Sequence, residues 1–256
     1  MPDEILVRTD DHVCTITLNR PEKRNALTTS MVDRFRAIVD DVGRAPDVRI
    51  VVVRGNGAAF CAGMDLRELE AQRAAGAVDL QALERALEAL EACPLPTIAA
   101  VHGDAVAGGC ELALHCDLRI ATETARFAMP LARIGIAVPV GLTWKLVDAI
   151  GAGATKEMLF TGEPVGAETA LALGLVNRVV AAADLDQAVA ELARVIAHNA
   201  PLSIRAMKAF VQRRTATPGL RRDDLDALAD RVRTSEDAQE GLRAQRERRA
   251  PLFRGR

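Results

Sequence analysis

The sequence predicts an α/β chain whose final part is helical throughout, and three observations predict it. Short runs of β-branched and apolar residues alternate with longer segments in which apolar residues recur every three or four positions. From residue 185 onward only the helical spacing remains. Of 256 residues, 49% are hydrophobic and 27% charged, enough to bury a sizeable core in one large domain with an appended helical part. The expected division is a core over residues 1–195 and a helical region over 196–256.

The chain opens on Ile5-Leu6-Val7 and Val13–Leu18, β-like runs parted by Thr9-Asp10-Asp11-His12, which reads as a hairpin. The polar loop Asn19-Arg20-Pro21-Glu22-Lys23-Arg24-Asn25 precedes a helix in which Met31, Phe35, Ile38 and Val39 share a face, with Thr28 or Thr29 as its cap. An apolar strand over 49–53 runs into Arg54-Gly55-Asn56-Gly57, a turn signal. Residues 68–91 are charged, alanine-rich and helical in pattern, weakened at Ala75-Gly76-Ala77. They stop at Cys93-Pro94-Leu95-Pro96, because two prolines in three residues cannot continue a helix.

Next come a buried strand (97–101), a short glycine-bearing loop, and a helix from about Ala107 towards His115. A strand over 117–122 and a turn at Phe127-Ala128-Met129-Pro130 follow, then a helix after Pro139 and Gly141 that carries Trp144, Leu146 and Val147. Gly151-Ala152-Gly153 separates it from a second helix, which Thr161-Gly162-Glu163-Pro164 ends. A short helix (167–173), a strand (175–180), and helices over 185–197, 201–212 and 223–247 complete the chain, the second of these opened by proline in its first turn.

The junction at Val101-His102-Gly103-Asp104-Ala105-Val106-Ala107-Gly108-Gly109-Cys110-Glu111 carries the chemistry. Gly108 and Gly109 have no Cβ, so a ligand can come close to the backbone there. The first N–H groups of a helix lack internal partners and the macrodipole adds positive charge, a setting for an anion, including one formed during a reaction. Glu111 follows Gly108 by three residues, about 5 Å along the axis at ~1.5 Å per residue, on the same face. Read without context, the same residues also suit a tight turn with a helix-stabilising glutamate in its first turn.

Composition excludes several function classes. A formal net charge of -2 without a long basic run, and aromatics limited to one Trp and six Phe, argue against nucleic acid. No apolar run is long enough to cross a bilayer and no leader pattern opens the chain, so a cytoplasmic protein is the expectation. The five cysteines (Cys14, Cys61, Cys93, Cys110, Cys116) match no zinc spacing and read as buried free thiols. No metal is expected.

At three separated blocks the chain resembles the crotonase (enoyl-CoA hydratase/isomerase) superfamily: Asn19-Arg20-Pro21 with Asn25-Ala26-Leu27, Phe60-Cys61-Ala62-Gly63-Met64-Asp65-Leu66, and 98–118. The resemblance implies a spiral of β-β-α turns with a helical C-terminal region used in trimerisation, trimers often pairing into hexamers. It implies an acyl-CoA thioester as partner and no separate cofactor, because CoA arrives as part of the substrate. The thioester oxygen would be held by the N–H groups of Met64 and Gly108, beside Glu111 as acid or base. Arg24 and Arg67 fall where relatives place cations near the nucleotide, and Ala62, Asp65 and Leu131 fall in the motifs that flank the substrate. Phe253 and Arg254 resemble a C-terminal pair that reaches a neighbour's CoA site. Asp65 reads as a brace for its loop, and His102 and His115, though possible bases, read as structural.

One position departs from the family. Hydratases of this kind hold a water between two glutamates, and where the second is expected this chain has Leu131, with no Asp or Glu from 131 to 146. Three readings follow: an enzyme with Glu111 as its one acidic proton carrier (hydratase, isomerase or decarboxylase), an enzyme that takes a second acid from residues 68–91, or an acyl-CoA binding protein without chemistry. The resemblance implies that residues 68–91 and those around Leu131 to Trp144 wall the acyl pocket; the apolar Leu131, Ile134, Ile136, Val138, Val140 and Trp144 fit a lipid-like tail there and equally ordinary core packing.

Overall fold

Asp11 and His12 adopt positive φ (42° and 65°), the backbone of a two-residue hairpin loop, so β1 (Ile5–Asp10) folds back on β2 (Val13–Leu18) with Ile5 opposite Leu18. The computed structural model describes residues 3–74, 81–134, 136–216, 231, 235–247 and 249–256. β3 (Ile50–Gly55), β4 (Thr97–Val101), β6 (Leu118–Thr122) and β9 (Arg178–Val180) extend β2 in parallel, giving a six-stranded sheet in the order β1-β2-β3-β4-β6-β9. A parallel sheet is covered on both faces, which is why these strands read as continuous apolar runs. Ile50 and Val52 face α7 (Leu185–Ala197), whereas Val51 and Val53 face the larger core.

The second sheet is small: β5 (Asp104–Val106), β7 (Arg126–Ala128) and β8 (Val165–Gly166). Single parallel bridges, Leu27 with Met64 and Cys61 with Ala105, lie in the loops of the preceding turns. Each turn of the chain thus supplies one strand to the large sheet, one short extended piece, and a helix. This is the ββα spiral that the resemblance implied.

The helices are α1 (Thr29–Arg44), α2 (Leu66–Ala74), α3 (Ala82–Ala92), α4 (Gly108–His115), α5 (Val140–Thr161), α6 (Ala167–Leu173), α7, α8 (Pro201–Ala216) and α9 (Glu236–Glu247). α1 starts where expected: the Thr28 hydroxyl accepts from the Met31 N–H at 3.2 Å, and Met31, Phe35, Ile38 and Val39 are buried. α5 is broken at Gly151 (φ 75°, ψ 161°), so the two helices expected there meet at a kink, and Gly162 (φ 63°) ends the second. Every residue of α4 is buried. Arg119 closes its C-terminus by donating to the carbonyls of Cys116 (2.6 Å) and Ala113 (3.2 Å), where a cation also suits the helix dipole.

Some elements differ from expectation. The loop expected before α4 contains β5, and the turn expected at 127–130 is β7 followed by a 3-10 turn over Pro130–Ile134. The strand expected over 175–180 is confined to Arg178–Val180, because the Val176 N–H turns back to the Ala170 carbonyl. α8 runs on to Ala216, and of the helix expected over 223–247 the segment Glu236–Glu247 is described. Residues 75–77 and 223–230 lie outside the described residues.

The division expected after residue 195 falls inside α7, which ends at Ala197. Arg49 clasps this end to the tail, donating to the carbonyls of Ala197 (2.9 Å) and Phe253 (2.8 Å). All five cysteines are free and buried, and burial pushes the thiols of Cys61, Cys110 and Cys116 up to about 12. Among the described residues no helix is long and apolar enough to cross a membrane.

Candidate active site

Two loops from successive turns of the spiral meet at Met64 and Gly108. The first is fixed by Ala62 N–H to Arg24 O (3.0 Å), Leu27 N–H to Gly63 O (2.7 Å) and Asp65 N–H to Leu27 O (2.8 Å). The second is fixed by Val106 N–H to Cys61 O (2.9 Å) and Ala107 N–H to Ala128 O (2.9 Å). These bonds use the N–H groups on either side, and among the described residues those of Met64 and Gly108 have no acceptor. The loops touch: a Cβ built on Gly63 would lie 3.0 Å from the Gly108 nitrogen, and one on Gly108 3.6 Å from the Met64 nitrogen. Gly109 is forced by the same approach, since a Cβ there would lie 2.0 Å from the Cys61 carbonyl oxygen.

Ala107 holds the second loop in a sparsely populated conformation, φ 48° and ψ -118°, worth about 1–3 kcal/mol of strain. Its two backbone bonds, N–H to Ala128 and C=O from the Glu111 N–H at 2.9 Å, keep it there. The strained residue aims the first N–H groups of α4 out of the helix, where the dipole adds positive charge.

One turn into α4, Glu111 is only 8% exposed and lines a cavity of about 440 Å³ together with Glu84, Glu88, Glu91, His115 and Lys145. Its carboxylate has no hydrogen-bond partner among the described residues. Burial pushes it up to about 7, and the charge of Glu84 adds to the rise. His115 donates from Nδ1 to the Glu111 carbonyl (2.8 Å) and its Nε2 is 3.9 Å from Glu91, which also pairs with Lys145 at 2.6 Å. Burial lowers His115 to about 4, so it is neutral at pH 7. Met64 and Gly108 are not in the wall of this cavity; Leu83 lies over Gly108, its Cδ2 2.8 Å from where a Cβ would be. A pair of unpaired main-chain donors therefore stands one helical turn from a carboxyl group able to take or give a proton near neutrality.

The remaining candidates are spread around this centre. Arg24 and Arg67 are exposed, and neither has an ion-pair partner among the described residues. Asp65 is a brace: its Oδ2 is 3.3 Å from Arg20 and its Oδ1 accepts the Arg67 N–H at 3.1 Å. Although burial works the other way, the Glu68 N–H, the Arg20 side chain and the Arg67 N–H hold its carboxyl below the usual range. Ala62 is half-buried in the first loop and Leu131 packs against the core. Phe253 lies beside Gly241 of α9, and its carbonyl accepts from Arg49. His102 donates from Nε2 to the Gly57 carbonyl oxygen (2.9 Å), a structural contact. Of the apolar residues expected to wall an acyl pocket, Ile134, Ile136, Val140 and Trp144 are exposed on this chain, at 43–69%.

Three residues escaped the sequence reading. The fully buried Asn25 amide donates to the carbonyls of Asn56 (2.8 Å), Ala59 (2.8 Å) and Phe60 (3.2 Å), bracing the first loop; its place in a family block was the available signal. Ala107 gave none, because alanine does not announce a positive φ. Glu84 stands with Glu88 and Glu91 at spacings of four and three, one helix face, which the sequence offered only as part of a charged stretch. Among the described residues no group of His, Cys, Asp and Glu is placed to hold a metal ion.

The profile of the enoyl-CoA hydratase/isomerase family matches residues 8–256. A Bacillus subtilis protein bearing the same family name is 37% identical over the full length of both chains. The crotonyl-CoA hydratase of Syntrophomonas wolfei is 32% identical over 98% of each chain. The crystal structure of an enoyl-CoA hydratase from Bacillus anthracis superposes with a TM-score of 0.91 at 31% identity, covering 99% of this chain and 100% of that one. With a spiral core, two converging amide loops and relatives that span its whole length, this chain belongs to the enoyl-CoA hydratase/isomerase family of crotonase-fold enzymes.

Proposed function

We propose that this enzyme adds water to, or shifts the double bond of, an unsaturated acyl-CoA, with Met64 and Gly108 as the oxyanion donors and Glu111 as the proton carrier. The observation that supports it most is the conjunction at α4: two N–H groups without acceptors on touching loops, and a buried carboxyl raised to about 7 one turn away. Two N–H groups on the thioester oxygen stabilise the enolate-like charge that develops when Cβ is attacked or a Cα or Cγ proton leaves, and one such donor is typically worth ~3–4 kcal/mol. Only main-chain atoms are required, so the side chain at Met64 is free to vary. A carboxyl poised near the working pH is suited both to accept and to return a proton.

Arg24 and Arg67 would grip the CoA phosphates, since a guanidinium offers forked donors and neither has an ion-pair partner among the described residues. Phe253, with Arg254, would serve a neighbouring subunit's CoA in a trimer or a pair of trimers. The test is a comparison of wild type with Glu111→Gln on crotonyl-CoA, by calorimetry for binding and by spectrophotometry for hydration and double-bond migration. The variant should bind within about threefold of wild type while kcat falls by roughly 10²–10⁴. Unchanged turnover in the variant refutes the assignment.

A further inference from the structure

The missing second glutamate leaves a chemical gap. Hydration takes a proton from water and gives one to carbon, two tasks that a second acid would share with Glu111 and that Leu131 cannot take up. The structure offers a different carboxylate. On α3, Glu84, Glu88 and Glu91 follow one another at helical spacing and all line the cavity into which Glu111 opens. They face α4 at different levels. Glu91, nearest the C-terminal end, meets His115 at 3.9 Å and is bound to Lys145 at 2.6 Å, so it is committed. Glu88 is exposed. Glu84 is half-buried, lies at the end of α3 whose Leu83 covers Gly108, and has no hydrogen-bond or ion-pair partner among the described residues.

We infer that Glu84, supplied by α3, is the second catalytic carboxylate of this enzyme and, with Glu111, frames the water that adds to an enoyl thioester in place of the acid missing at Leu131. This rests on the function proposed above. Burial holds Glu111 at about 7, so Glu111 is the member that carries a proton near neutrality. The influence of Glu84 on Glu111 is already visible in the raised carboxyl. In the step, the water oxygen bonds to Cβ, and the C=C electron pair moves toward Cα with charge spreading onto the thioester oxygen. One water proton passes to the ionised member of the pair, and the protonated member gives its proton to Cα. One H and one OH are added, and the pair ends with the proton count it began with.

The experiment measures kcat, KM and calorimetric Kd for crotonyl-CoA in the full-length wild type, Glu84→Gln, Glu84→Asp, Glu88→Gln and Glu111→Gln. Glu84→Gln should lose at least 100-fold in kcat with Kd within about threefold, and Glu84→Asp should recover part of the loss, because it keeps an ionisable group on a shorter arm. Removing an unpartnered charge should leave the thermal unfolding of Glu84→Gln no lower than that of wild type. If Glu84→Gln keeps kcat within threefold while Glu111→Gln loses turnover, the role of Glu84 is overturned and the proposed function stands. The same holds if Glu88→Gln loses as much as Glu84→Gln, or if the wild type migrates double bonds but adds no water. If the wild type turns over no enoyl-CoA, both fall together.

Discussion

Glu111 sits in a place that opposes its own charge, and the consequence reaches beyond catalysis. Its folded value of about 7 lies above the 4.5 of an ordinary glutamate, so between those values the native state binds more protons than the unfolded chain. The stabilisation tied to this group is complete below about pH 4.5 and is lost as pH rises through about 7, a difference on the order of 3 kcal/mol at 1.36 kcal/mol per unit. Glutamine fills the same space without ionising. Glu111→Gln should therefore unfold at a higher temperature than wild type at pH 8, and the advantage should disappear at pH 4.5. Thermal unfolding followed at both pH values checks this; an equal difference at the two would mean that the carboxyl is not destabilised by burial. Together with the expected loss of kcat, the variant would be more stable and less active, the trade commonly seen where a site is kept under strain.

At the scale of elements, the position of α4 depends on a backbone contact rather than on side chains. A methyl group at residue 109 would stand 2.0 Å from the Cys61 carbonyl oxygen, and neither main chain can yield without moving Met64 or Gly108. Gly109→Ala should lower stability by roughly 3 kcal/mol in denaturant unfolding and abolish acyl-CoA binding, whereas tolerance of the methyl would show that the loops are not fixed against each other. This contact also marks how far the sequence could be read. Elements bounded by strong chemistry were legible to the residue or nearly so: Thr97–Val101 after two prolines, Ala167–Leu173 before Gly174, Leu185–Ala197 by its apolar stripe. β5, β7 and β8 were not, since pieces of two or three residues are too short to show a period and exist only because a neighbouring turn pairs with them. In the site, Met64, Gly108 and Glu111 came from motifs. The strain at Ala107 and the facing of Glu84 toward Glu111 came from packing, which no local pattern carries.

For the whole molecule, several large apolar side chains stay on the surface of a single chain. Trp144 and Val140 on α5, Phe160 near its end, and Val211 on α8 are 64–75% exposed. Trp144 and Val211 border the same cavity, and large apolar side chains displayed together are usually covered in an assembly. Sedimentation equilibrium of the native protein should return three chains or six, and a monomer at micromolar concentration would refute the trimer proposed above. Chemically the same surface is quiet. Every sulfhydryl lies in the interior and is protonated at working pH, so a maleimide dye has no native target until the protein unfolds. A single cysteine introduced by Ser30→Cys on the outside of α1 would then carry a reporter alone, with no need to strip the natural thiols first.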